Sequence, residues 1–358
     1  MVIIYFILVF GLIITIHELG HLLAAKRFNV YCDEFAFGMG PKIISKKFKE
    51  TTYSIRLLPI GGFVSMAGEP DATFDQADLP LERTIKGIAK WKQIIIMSAG
   101  VIMNFLLAIT LFIGVNLINR QIVLPAKPII AEVVSGSVAE SAGFMANDEI
   151  IEVIYPSGDQ IYPKDFSDVS MYFVLFPEQE VNFVVKRDNG EVNLKVTPKL
   201  DEASGRYLIG VTGVAGELKE LTVLESIGQG FKDFKRSSLL ILDGFKFLVR
   251  GIGVNQLSGP VGIIDQTNQI MDQSQSFGHA IMILMVLIAT FSANLGIVNL
   301  IPLPMFDGGR ILITLYEIIF KRDINEKLET ALMLGSFALI VLLIIFTTFN
   351  DFSRIINR

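Results

Sequence analysis

The sequence predicts a polytopic α-helical membrane protein with four transmembrane helices, a membrane-associated β-hairpin and one inserted α+β domain. Three observations predict it. The 358 residues are 51% apolar even without counting glycine, and the mean hydropathy is +0.53, a membrane-protein profile with a soluble portion attached. Four apolar runs, within 2–25, 93–118, 280–301 and 331–349, are each long enough to cross a bilayer. Between the second and third runs, residues 125–214 change to short β-rich stretches separated by turns.

Composition also excludes. A net charge of −5 argues against nucleic acid as a partner. Cys32 is the only cysteine, so an internal disulfide framework is excluded, and the residue reads as small and inert. The first run has no basic leader and is too long for a cleavable signal.

That first run carries His17-Glu18-Leu19-Gly20-His21. On a helix the two histidines are one turn apart and point the same way. Two neutral imidazoles at that spacing can hold one Zn²⁺. Glu18 then lies beside the metal, where it can take a proton from water. The plainer alternative is a polar notch satisfied by a neighbouring helix. Ionisable groups at membrane depth are costly and usually functional, which favours the metal.

Lys26, Arg27, Lys42, Lys46, Lys47 and Lys49 follow the first span, and Arg83, Lys86, Lys90 and Lys92 flank the second. This places the 26–92 loop in the cytoplasm and the N-terminus outside. Within the loop, Thr52 to Met66 is β-branched and apolar and is broken at Pro59-Ile60-Gly61-Gly62. It reads as a short β-hairpin or a bent strand. Two placements stay open: packed on the protein, or dipping into the membrane face near the zinc with an edge offered to an unwound substrate. Residues 69–82 read as an acidic mobile loop. In the second span, Trp91 stands as an interfacial anchor. Ser98-Ala99-Gly100 and Asn104 offer a small, polar face for close helix contact.

The module that follows has strands at 129–134, 149–154, 181–186 and 192–196 and a turn at Asp188-Asn189-Gly190. Residues 217–250 carry apolar side chains on a helical period, from Leu221, Leu224 and Ile227 to Leu239. They form a helix packed under the module or one lying on the outer membrane surface. Residues 255–263 read as turn-rich.

The third span ends in Asn299-Leu300-Ile301-Pro302-Leu303-Pro304-Met305-Phe306-Asp307-Gly308-Gly309. Broken backbone at membrane depth must line a cavity or be buried in protein. A two-histidine zinc site needs a third protein ligand, commonly a carboxylate. Asp307 lies at the same side as His21 and fits; otherwise it caps a helix from about 310 to 320. His279, the remaining histidine, lies at the far end of its span. The last span has no ionisable residue and returns the C-terminus to the outside.

Together these residues resemble the site-2 protease family of intramembrane zinc metalloproteases, of the bacterial regulator-of-sigma-E protease type. The resemblance rests on His17 to His21, Phe37 to Lys42, Gly61 to Val64, Gln256 to Pro260, Asn299 to Gly309 and Phe349 to Arg354. The tract Pro128 to Ile151 is similar to a bacterial PDZ domain, a module that binds peptide ends by strand addition. The resemblance implies His17, His21 and Asp307 as zinc ligands and Glu18 as the base. It implies that Asn299 helps hold the unwound substrate or the oxyanion, and that the hairpin around Tyr53 to Val64 presents substrate. It further implies a PDZ module that filters uncleaved substrates by size. It departs in having room for one PDZ domain where the better-known members have two, and in Arg310 where histidine is expected.

The expected organisation is a membrane core at 1–120, a PDZ domain at 121–214, an amphipathic segment at 215–278 and a second membrane part at 279–358. The expected partners are the lipid bilayer and transmembrane substrates already trimmed by another protease, in a bacterial plasma membrane. The alternative is a non-catalytic scaffold that binds protein C-termini through the PDZ module. A broken-helix transporter would show internal repeats, and none is visible.

Overall fold

The computed structural model describes the chain apart from residues 1, 70–78, 157, 167, 170–178, 189, 202–205, 250–256, 273, 275, 357 and 358. Its helices are α1 (Val2–Arg27), α2 (Lys90–Asn119), α3 (Val138–Ala142), α4 (Val223–Val249), α5 (Pro260–Asp272), α6 (Phe277–Asn299), α7 (Asp307–Phe320) and α8 (Glu326–Ile356). Four stretches, Phe6–Arg27, Lys90–Asn119, Phe277–Asn299 and Lys327–Ser353, are helical, long and apolar enough to cross a membrane. They coincide with the four apolar runs of the sequence. Contacts divide the chain into two compact units, one drawn from within 1–119, 224–242 and 258–351, the other mainly 120–223.

In the first unit α2 is the central helix. Small residues set its approach to its neighbours. A Cβ at Gly20 of α1 would run into the Ala99 carbonyl of α2, and one at Gly296 of α6 would run into the Phe105 ring. The first part of α4 packs on α2 as well. Asn116 donates to Asp233 at 2.7 Å, and the Phe105 and Phe234 rings meet edge to face at 5.4 Å. Neither placement expected for 217–250 named this contact with α2. The helix starts later, at Val223, and Leu221 instead bonds Arg120 through its backbone.

The β-structure of this unit is larger than expected. Thr52 to Met66 is no hairpin by itself: β2 (Thr51–Met66) pairs with β1 (Cys32–Phe48). The turn is Lys49-Glu50, with Lys49 at φ 56°. The Pro59–Gly62 break is an irregularity within the sheet. Residues 34–37 lie between two parts of β2, with registers Glu34↔Thr52 to Phe37↔Ile55 on one side and Phe37↔Gly62 to Phe35↔Val64 on the other. Gly38 sits at φ 86°, where the strand crosses so close to Leu58 that a Cβ would strike its carbonyl. Inside the sheet, buried Glu34 accepts bonds from Ser54, Arg56 and Lys42. Burial opposes its charge, yet these donors hold the carboxyl below the ordinary range. Cys32 is buried too, and burial pushes its thiol up to about 12, in keeping with an inert role.

The tract around 259 also differs from the turn expected. Pro260 opens α5, a position where its missing N–H costs nothing. The buried carboxylate of Asp351 on α8 accepts from Gly259 N at 3.1 Å and Gly262 N at 2.7 Å. Two motifs far apart in the chain are therefore one clamp, a carboxylate on the free amides of a helix start. The expected 69–82 loop lies mostly outside the described residues.

The second unit is α+β. A four-stranded antiparallel sheet runs in the order β4 (Gln160–Ile161), β3 (Glu149–Ile154), β5 (Val181–Arg187), β6 (Gly190–Val196). Asn189, in the expected turn, lies outside the described residues. Alternation on β5 and β6 buries Val181, Phe183, Val185, Leu194 and Val196 with Ile130 and Val153 in one core. Ser137 caps α3 by accepting from Glu140 N at 3.1 Å. The buried Asp148 takes both 2.8 Å bonds of a forked Arg187.

Candidate metal centre

The site lies within the first unit, where α1, α2, α6, α7 and β2 meet. Helical spacing stacks His17 and His21 one above the other on α1, both 6% exposed. Their Nε2 atoms are 3.1 Å apart. Asp307 is the first residue of α7. Its Oδ2 lies 3.1 Å from His17 Nε2 and 3.5 Å from His21 Nε2. Ligands at about 2.0–2.1 Å around a tetrahedral zinc stand about 3.3–3.4 Å apart. The three edges of this triangle fit that figure. Asp307 Oδ2 is buried with no hydrogen-bond partner, as expected of an oxygen whose partner is an ion. It does not cap α7: the N-cap is Phe306, and no side chain bonds there. Among the described residues these three form the one cluster of metal-binding side chains. His279 is at the opposite end of α6 from Asn299, where its backbone N–H donates to Ser276.

Asp307 reaches the histidines because the chain folds tightly just before it. The turn at 300–306 doubles back on the start of α7, and a Cβ at Gly308 or Gly309 would strike the carbonyl of Leu300 or Leu303. The two prolines end α6 and the two glycines let α7 begin within a few residues.

Glu18 sits beside the triangle. Its Oε2 accepts the backbone N–H of Val64 on β2 at 3.2 Å. Val64 lies in the 62–66 stretch, which pairs on one side with β1, so its outward N–H meets α1. The Asn299 amide approaches His17 Nε2 at 3.4 Å. His17, Glu18, His21, Asn299 and Asp307 all line one cavity of about 370 Å³. Arg310 lines it too and pairs with Glu69 at 2.9 Å.

The sequence hid the back wall of the site, a stripe of α2 at spacing four. The carbonyl of Ile96 faces His21 Nδ1 at 2.8 Å. Gly100 leaves room for both rings: a Cβ there would strike His21 Nε2 and lie 2.7 Å from His17 Nε2. Asn104, fully buried, reaches His17 Nδ1 at 3.3 Å. The repeat 96, 100, 104 matches 17, 21 turn for turn, and that match with the histidine spacing was the signal available beforehand.

A family model described as peptidase family M50 matches residues 5–343. Zinc metalloprotease RasP of Bacillus licheniformis is 32% identical, covering 99% of this chain and 99% of its own. Regulator of sigma-W protease RasP of Bacillus subtilis is 31% identical, over 99% and 98% of the two chains. Zinc metalloprotease RasP of Geobacillus kaustophilus is 30% identical, over 98% of each. With nearly the whole length matched and a zinc-compatible triangle among apolar helices, the chain belongs to peptidase family M50, the site-2 proteases, as a membrane-embedded zinc metalloprotease.

Proposed function

We propose that this protease cuts single-pass transmembrane proteins within the bilayer, after another protease has removed most of their outer domain. The observation that carries the reading is the triangle of His17, His21 and Asp307 with Glu18 beside it, opening on a cavity among membrane helices. In this reading His17, His21 and Asp307 hold the metal and Glu18 is the general base. Zinc held there supplies a Lewis acid that acidifies water and polarises a carbonyl. Glu18, which lines the cavity, takes the proton, with Val64 N–H fixing its Oε2. The Asn299 amide is placed to donate to the developing oxyanion or to unwound backbone. A helical peptide bond is shielded by its own hydrogen bonds, so the substrate must unwind. The hairpin around Tyr53 to Val64 presents the substrate and supplies the replacement pairing.

The second unit acts as a PDZ-type filter outside the cytoplasm, and the amphipathic segment after it joins the two membrane parts. The chain sits in the bacterial plasma membrane with both termini outside. The sigma-W regulator name of one relative supports an anti-sigma factor as the substrate class, with remnant signal peptides the other candidate. The test is purified protein with a single-pass substrate. Glu18→Gln should retain zinc and lose cleavage, and Asp307→Ala should lose zinc. Cleavage by Glu18→Gln, or unchanged zinc affinity in Asp307→Ala, sinks the assignment.

A further inference from the structure

The two histidines are held from behind in different ways. His21 Nδ1 faces a backbone carbonyl, that of Ile96. A carbonyl only accepts, so Nδ1 carries the proton and Nε2 keeps its lone pair toward Asp307. No side-chain substitution removes that partner. His17 has no such carbonyl. Among the described residues, the group bonded to its Nδ1 is the Asn104 side chain.

Asn104 is suited to this task. It is fully buried on the central helix, and its backbone carbonyl accepts from the Ser292 hydroxyl of α6 at 2.9 Å. Its Oδ1 is buried without a hydrogen-bond partner. With His17 Nε2 as the ligand atom, Nδ1 carries the proton, so the group facing it must accept, and amide O and N are assigned from their partners. Rotating the amide by half a turn puts Oδ1 at Nδ1, where it accepts the ring N–H. The lone pair then sits on Nε2, aimed into the triangle.

We propose that Asn104 is a positioning residue for the metal centre: its amide oxygen accepts from His17 Nδ1–H and sets the tautomer in which His17 can ligate. This rests on the reading of His17 as a ligand. Partners of this kind typically contribute 10–100-fold in metal affinity.

The experiment measures zinc affinity by chelator competition on the full chain in detergent, with no activity required. Wild type and His17→Ala come first. If wild type holds zinc and His17→Ala does not, the ligand reading stands; if His17→Ala binds as tightly as wild type, that reading fails, whatever Asn104 does. Asn104→Leu keeps the size and removes the acceptor, and should weaken zinc about 10–100-fold. Asn104→Asp keeps an acceptor at the same place and should bind within about threefold of wild type or more tightly. Leu as tight as wild type overturns the proposal. Asp as weak as Leu overturns it too, since the role would then be packing. Should the Leu variant not fold, Asp decides alone: a tenfold loss there overturns the proposal, and retained affinity supports it.

Discussion

Replacing Gly100 by alanine tests the back wall with one methyl group. The residue is buried on α2, and an added Cβ would strike His21 Nε2 and stand 2.7 Å from His17 Nε2. Ordinary carbon–nitrogen contact needs nearly an ångström more. The two helices are already at backbone contact here, with no space for a Cβ between Gly20 and the Ala99 carbonyl. Either α2 moves or both rings turn away from Asp307. Overpacking of this kind costs about 1–3 kcal/mol. The rings are the yielding part, so that cost falls on the metal site, and about 1.4 kcal/mol is tenfold in affinity. Zinc affinity should therefore fall about 10–100-fold, while the metal-free protein keeps a melting temperature within a few degrees. Chelator competition and a melt of the metal-free protein measure the two. Zinc bound within threefold of wild type would refute the close approach of α2 to the histidines.

Asp351→Asn should lower the melting temperature and expose α5 to hydrogen exchange, because one charged acceptor serves two helix-start amides; removing such a contact costs about 1–2 kcal/mol. Unchanged exchange at 260–272 would show that the clamp is idle. Glu34, held below its ordinary value of 4.5 in the folded sheet, should make β1 and β2 pH-sensitive. The folded state binds fewer protons there than the unfolded one. The stabilisation is thus complete above the unfolded value and is lost as pH falls through the folded one. Exchange protection of the sheet, corrected for intrinsic rates, should drop as pH falls below the ordinary value of 4.5, and Glu34→Gln should flatten that drop. Arg310→Ala should destabilise by about 1–2 kcal/mol through loss of its bond to the mostly buried Glu69, without releasing zinc. Recovery of stability in the exchanged pair Glu69→Arg with Arg310→Glu checks that the bond itself is responsible.

Legibility followed the distance over which each interaction acts. His17, Glu18 and His21 were readable because one helical turn is all they need. Asp307 was readable because prolines and glycines at membrane depth are conspicuous. β1 was missed: its exposed half, Gly40 to Phe48, carries lysines and a proline and looks like a loop. What makes it a strand is pairing with β2, which a local pattern does not show. Pro260 was taken as a turn signal when it opens a helix, and the deciding partner, Asp351, lies at the other end of the chain. Asn104 was seen as a small polar helix face. Its partner is a ring nitrogen on another helix, and spacing within α2 alone does not name it.

His17 and His21 lie on α1 and Asp307 on α7, so synthesis delivers the third corner of the triangle long after the first two. Between the two, the triangle has only two corners. With the proposed ligands split between α1 and α7, the centre is incomplete until α7 is in place. In the proposed mechanism, completion of the fold is thus a condition of activity.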